Sequence, residues 1–360
     1  MRLGVLCVAA VIAGALCTLT TKAAFETSVG GESFAKPFFM ELVVGTAIAT
    51  SLLGSWQHRP RAAAGTVECY LPLLPLAASD LLVGICDCRS VLLAPASLVS
   101  LVNCSMLVFS AMATRAILGS RYSRTEWGGI LAAAAGVILV GAASLLRGEA
   151  APSGTAPLGV LLALAARALQ SAQFAFEERY MKAGRFSPLL QVGAEGAIES
   201  ALCAALVLPL AHALPGSDHG RVEDVGDTLR SLGRSPTLCA LVGVNWLSLA
   251  ALNPLSMSIG LRHGSVLRVF VEIARPALVW AVELAAWTLS RGRYGEPWAG
   301  PQSCLELGGF GILLLGLAFY VRGARERAAA ALGGGAAEGL LPGAGRPEHS
   351  EAGVPATAPG

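Results

Sequence analysis

Runs of apolar residues, each near the length of a bilayer crossing, alternate with short polar connections along most of the chain. A helix rises about 1.5 Å per residue, so roughly 20 apolar residues span the hydrocarbon. Ten such segments can be read, at 3–21, 37–56, 70–86, 91–113, 127–146, 157–176, 189–214, 237–259, 264–289 and 303–321. Pro72 and Pro75 interrupt the third, which leaves its limits the least defined. The first follows Arg2 and has a signal-like end at Thr21-Lys22-Ala23, but its length and the nine segments behind it favour an uncleaved span. Residues 323–360 are rich in Ala, Gly, Pro and Glu without apolar periodicity, and a disordered cytosolic tail is expected there.

The apolar pattern also repeats. Ser90-Val91-Leu92 near the start of span four returns as Ser265-Val266-Leu267 in span nine, each followed by a long apolar helix and a basic turn. Each half closes on a glycine pair in a Val/Ile/Leu run, Gly136 with Gly141 and Gly311 with Gly316. Five spans per repeat is an odd number, so the copies must face opposite ways across the bilayer. The expected fold is an all-α polytopic membrane protein, ten transmembrane helices arranged as two inverted five-helix repeats, 1–148 and 155–322. Such repeats place a solute site near the midplane between the halves.

Composition agrees. Of 360 residues 54% are hydrophobic and 14% charged, against about 25% charged in a soluble domain. Basic residues gather in alternate connections: Arg59 and Arg61; Arg115, Arg121 and Arg124; Arg179, Lys182 and Arg185; Arg262; and Arg322, Arg325 and Arg327. By the positive-inside rule both termini are cytosolic. The opposite side holds a longer loop, 215–236, with a charged amphipathic segment from Val222 to Leu232. No basic cluster with interleaved aromatics suggests nucleic acid. No Walker, HExxH, GxSxG or paired CxxC motif suggests an enzyme, a metal or a cofactor. The nine cysteines sit mostly inside apolar spans as small packing residues.

The candidate chemistry lies in the few charges within spans. Arg268, Glu272, Arg275 and Glu283 fall within about an 80° sector of span nine, because helical residues turn about 100° each. A charge at bilayer depth costs about 2.5–3.5 kcal/mol on the insertion scale, so such residues pair or line a polar interior. For Arg268, Glu272 and Arg275, solute contact and self-neutralising i,i+4 pairing both stand open. On span six, Arg167 and Gln170 share a side with Ser171 and Glu177, as a cavity wall or as helix–helix contacts. Asp80, on one face of span three with Gly84 and Asp87, and Glu41 in span two are candidates for proton coupling or cation binding.

Three blocks carry a resemblance. Gln173-Phe174-Ala175-Phe176-Glu177-Glu178-Arg179-Tyr180, followed by Val192-Gly193-Ala194-Glu195-Gly196, is the first; Gly220-Arg221-Val222-Glu223-Asp224 is the second; Ser265 to Trp287 with its two arginines is the third. Together they resemble the drug/metabolite transporter superfamily, in particular the nucleotide-sugar-transporter-like solute carrier 35 group and its F branch, with chloroquine-resistance-type transporters as more distant relatives. The resemblance covers residues 155–322 well and the first half loosely. It implies that Arg268, Glu272 and Arg275 stand where the branch has Arg, Asp and Arg. In span four, where the branch carries a Gln and an Arg, this chain has Ser100 and Asn103, which makes Asn103 a candidate.

The sequence thus points to a secondary transporter or exchanger of a small polar organic solute, working by alternating access without a cofactor. Buried arginines favour an anion such as a nucleotide sugar or nucleotide. The acids favour proton-coupled carriage of amino acids, peptides or organic cations. A non-transporting membrane interaction protein is the reading from another class. Expected partners are a small-molecule substrate and membrane lipids, with a homodimer left open, in an endomembrane such as Golgi, lysosome or vacuole.

Overall fold

The structure, a computed structural model, describes residues 3–55, 70–93, 102–103, 105–146, 156–184, 186–216, 218–292, 295 and 297–338. Arg59, Arg61, Ser100, Arg185, the junction between the expected halves and the tail beyond Glu338 lie outside the described residues. The chain begins with α1 (Leu3–Glu26), a small hairpin of β1 (Ser28–Val29) and β2 (Glu32–Ser33), α2 (Pro37–Ala49), α3 (Ser51–Ser55), α4 (Leu74–Leu93), α5 (Ser105–Leu118) and α6 (Arg124–Leu146). It continues with α7 (Ala156–Lys182), α8 (Pro188–Leu202), α9 (Leu208–Ala213), α10 (Val225–Arg234), α11 (Pro236–His263), α12 (Ser265–Leu289) and α13 (Pro301–Glu338). Among the described residues seven stretches are long and apolar enough to cross a membrane. The chain is therefore an all-α polytopic membrane protein. α12 is 25 residues long, but its four charges are spread so that each stretch of 18 residues holds at least three, which sets it apart from those seven.

Element boundaries follow from local chemistry. Proline opens α2, α8, α11 and α13, where its missing N–H costs no hydrogen bond. Ser187 and Ser235 cap α8 and α11 by accepting from Leu190 N and Leu238 N at 3.3 and 3.2 Å. At α6, Ser123 N donates to Glu126 Oε2 at 2.7 Å and Glu126 N to Ser123 Oγ at 3.2 Å, a reciprocal capping box. A π-helical turn, Cys203–Val207, absorbs Pro209 between α8 and α9. α13 runs on as helix past Arg322 to Glu338, into the segment expected to be disordered. An Arg322–Glu326 pair at 2.8 Å and an alanine run favour its continuation.

Small residues decide which helices meet. α6 packs most extensively on α13. A Cβ on Gly136 would lie 2.5 Å from Gly309 O, and one on Gly129 would lie 2.6 Å from Gly316 O, so the two backbones touch in antiparallel order. The contacting glycines are spaced by seven, whereas Gly311, half of the pair read from the sequence, has nothing within 4 Å. α1 is held against α11 by buried Asn245, whose Nδ2 donates to Cys17 O, Thr20 Oγ1 and Thr21 Oγ1 at 3.0, 3.1 and 2.8 Å. Interhelical bonds of this kind are worth about 0.6 kcal/mol in a membrane, so they set register more than stability.

Outside the spans, residues 214–235 fold back on the start of α2. Glu223, 1% exposed, accepts from Phe38 N and Phe39 N at 2.9 and 2.8 Å and so satisfies the free end of that helix. Lys36, 3% exposed, donates to Asp218 at 2.5 Å and pairs with Asp227 at 3.1 Å. Burial opposes its charge, but the two carboxylates outweigh burial and hold the Lys36 pKa above its ordinary value. Burial pushes Glu223 the other way, up to about 7, against the pull of the two backbone donors.

Two outcomes are expected. Gly136→Leu should lower the thermal unfolding temperature of the detergent-purified protein by several degrees, while Gly311→Leu leaves it unchanged; equal effects would deny the α6–α13 contact its role. Because the folded pKa of Glu223 is raised from 4.5 to about 7, its contribution is fully present below the lower value and lost as pH rises through the upper. Unfolding temperature should therefore fall across that window in the wild type and fall less in Glu223→Gln.

Candidate functional site

A cavity of about 420 Å³ opens beside the middle of α12. Thr18 of α1, Asn103 shortly before α5, Met106 at the start of α5, Arg167 of α7 and Glu306 and Phe310 of α13 border it, with Glu272, Arg275, Trp280 and Glu283 from α12 itself. The lining is aromatic and aliphatic with charges of both signs, as expected for a site that orients a polar solute within an apolar wall.

Pro276 explains how Arg275 is held there. A proline inside a helix cannot donate to the carbonyl four residues earlier, which here is Glu272 O. Arg275 Nε takes that place at 3.2 Å. The side-chain stem lies over Gly14 of α1, where any Cβ would sit 2.0 Å from Arg275 Cδ. Among the described residues Arg275 makes no ion pair, so its remaining guanidinium donors face the cavity without an anionic partner.

The other charges are more committed. Arg167 donates to Gln170 Oε1 at 2.7 Å and pairs with Asp87, tying α7 to α4. Glu283 pairs with Lys22 at 2.7 Å. Arg268, 6% exposed, does not border the cavity. It pairs with Glu177 of α7, donates to Ser256 Oγ of α11 at 2.8 Å, lies 3.7 Å from Glu272 and stacks 3.6 Å over the Phe174 ring. Beside it, Glu178 accepts from Ser265 N at 2.6 Å and caps α12. Arg268 is thus the joint between α7, α11 and α12, with Glu272 the one member of its network that reaches the cavity.

Asp80 and Glu41 lie elsewhere again. Glu41 on α2 rests against Gly84 of α4, its carboxyl 2.7 Å from where a Cβ would stand. Asp80, one turn from Gly84, hydrogen-bonds Gln173 and interacts electrostatically with Glu177, Arg268 and Glu272. The structure therefore gathers Asn103, Arg167, Glu272 and Arg275 at the cavity, with Gln170 behind Arg167. Asp80 and Glu41 do not line it, and the two act on one another electrostatically. Two residues escaped the sequence reading. Asn245 stood as a lone amide in an apolar run. Glu199 completes a Gln191–Glu195–Glu199 stripe at four-residue spacing, a signal that was present in the sequence.

Arg268→Ala would strand buried Glu177 and should destabilise the fold by about 3–5 kcal/mol, read as loss of monodisperse protein on gel filtration. The double variant Arg268→Met, Glu177→Gln removes the charge stranded on Glu177 and leaves Glu272 at the cavity, so it should recover most of it. Wild-type yield from Arg268→Ala would show that the pair is not structural.

No protein-family model matches the chain. Solute carrier family 35 member F6 of Pongo abelii is 28% identical over 223 residues, 60% of this chain and 57% of that protein. The proteins of the same name from Homo sapiens and Mus musculus are 27% and 26% identical over the same extent. The chain matches 57% of the length of these curated relatives, somewhat over half. A solved structure titled "Crystal structure of protein" aligns with a TM-score of 0.60 at 16% identity, covering 89% of this chain and 97% of its own, which shows a shared fold. With relatives of that name at 26–28% identity over 60% of the chain, the drug/metabolite-transporter-like assignment to the F branch of solute carrier family 35 is supported.

Proposed function

We propose that this protein is a secondary transporter or exchanger of a small polar organic solute. It works by alternating access between two inverted five-helix halves, 1–148 and 155–322, with ten spans in all. The observation that carries the reading is Arg275, a cation without an ion pair among the described residues, held at the wall of the mixed-charge cavity by the carbonyl that Pro276 frees. A side chain fixed that way is preorganised for an anionic group of the solute, and a guanidinium suits carboxylate or phosphate. Antiparallel contact of α6 with α13, the closing spans of the two halves, supports inversion. The similarity to solute carrier proteins points the same way.

In this reading Arg275, Glu272, Arg167 and Asn103 contact solute. Gln170 orients Arg167, and Arg268 couples the cavity to the rest of α7 and α11. A nucleotide sugar or nucleotide is the substrate class that Arg275 favours. The second reading, a proton-coupled carrier of amino acids, peptides or organic cations, is favoured by the acidic group around Asp80 and Glu41, which the arginine pairs do not neutralise. Both termini face the cytosol of an endomembrane.

Two measurements test the reading. Tags at residue 118 and at the C-terminus should be reached from the cytosol in intact vesicles while a tag at 218 is not; cytosolic access at 218 would end the ten-span model. In proteoliposomes presented with a metabolite panel, Arg275→Ala should abolish uptake with folded protein retained. Pro276→Ala, which restores the helical hydrogen bond and releases Arg275, should weaken solute affinity severalfold. If no panel member moves with wild-type protein, the membrane interaction reading gains.

A further inference from the structure

The acidic group has a third member that places it in a built site. α2 and α3 run against α8 in antiparallel rungs of small residues. A Cβ on Gly193 would sit 2.6 Å from Leu52 N, one on Gly196 2.6 Å from Ala49 N, and one on Gly45 3.0 Å from Ser200 N. At the far end Cys203 Sγ donates to Phe38 O at 3.6 Å. Glu41 lies between the last two rungs, level with the stretch from Glu199 to Cys203. On the other side its carboxyl fills the notch at Gly84 of α4, one turn from Asp80. Three carboxylates from three helices, Glu41, Asp80 and Glu199, are thereby brought into one region of the membrane interior.

Their charge is not balanced. Glu199 is 2% exposed and, among the described residues, its side chain has neither a hydrogen bond nor an ion pair; the groups acting on it electrostatically are Asp80 and Glu41. Glu41 likewise has no cation beside it, only Asp80 and Asp87, and Asp87 is taken by Arg167. Glu195 accepts from Gln191 Nε2 at 3.0 Å, and Cys203 closes the end of the region. Arg268 is the one cation acting on Asp80, and it is shared with Glu177, Glu272 and Glu195, so a single charge faces several carboxylates. An uncompensated carboxylate is costly in hydrocarbon, so protons or another cation must neutralise the group. The three are not gathered tightly enough for one bare metal ion: among the described residues, Asp218, His219 and Asp227 form the group whose ligand atoms all lie within 4.8 Å. Acceptors spread over three apolar helices suit separate protons, or an organic cation whose ammonium groups reach them while its methylenes lie along the helix faces.

We propose that Glu199, with Glu41 and Asp80, none of which lines the cavity, forms a second intramembrane site where protons exchange with an organic ammonium solute. Each ammonium that enters displaces one proton, so the site stays neutral and cation movement is tied to opposite proton movement. The inference rests on the transporter reading for its use, but its chemistry can be tested without transport.

The full chain is reconstituted in proteoliposomes and treated with a hydrophobic carbodiimide, which modifies protonated carboxyls in apolar surroundings, and adducts are located by peptide mass spectrometry. Glu199 is expected to be labelled, and 1,4-diaminobutane should cut that labelling at least fivefold, with sodium and potassium chloride at matched ionic strength having no such effect. In Glu199→Gln, verified as monodisperse, the diamine should lose its protection of Glu41 and Asp80. Absence of label at Glu199, or label that the diamine does not reduce, overturns the proposal. Protection by sodium or potassium equal to that of the diamine overturns its organic part. Protection in a protein that moves no solute supports the site and counts against the transporter reading alone.

Discussion

A guanidinium buried between helices, with no cavity to face, must find an anion, and the position of Arg268 follows from that need. It pairs with Glu177, bonds Ser256 and stacks on Phe174, so one side chain fixes α12 to both α7 and α11. Glu178 adds a second tie one residue on by capping the start of α12 through Ser265. Breaking such a buried pair strands a charge, which costs more than the pair itself contributes. The arrangement is therefore rigid by default. Glu272 joins it to the mixed-charge cavity, whereas Glu41, Asp80 and Glu199 do not line that cavity.

Both regions depend on residues without functional groups. Pro276 leaves a carbonyl open and Gly14 leaves room for the arginine stem, and together they station Arg275 at the cavity. Gly45, Gly84, Gly193 and Gly196 let three helices approach closely enough to assemble carboxylates that are far apart in sequence. In a membrane no hydrophobic force drives helix association, so such close backbone contact supplies much of the packing. Polar chemistry is thus placed by the absence of side chains next to it.

The extramembrane segment 214–235 follows a different logic. It meets water on one face and the start of α2 on the other, and it is held by Lys36 between two aspartates and by Glu223 on the helix end. Burial raises the pKa of Glu223 to about 7, which makes this contact sensitive to pH near neutrality.

The sequence by itself determined the class of fold, the approximate limits of several apolar helices and the charged sector of α12, because hydropathy and helical period are local properties. It also determined that Asp80, Gly84 and Asp87 share a face, and the amphipathic stretch at Val222–Leu232 is close to the observed α10, Val225–Arg234. What it left open was partnership. Arg268 and Arg275 stand two turns apart on one stripe and look equivalent, yet one is locked to Glu177 and the other faces a cavity. Which glycines touch was equally open: Gly311 belongs to a repeated pattern and meets nothing, while Gly129 and Gly309 bear the helix contact. Only the tertiary structure decided these points, because ion pairing and close packing depend on which helices are neighbours and how they are rotated. That follows from the sum of many weak contacts between distant segments, which no local pattern encodes.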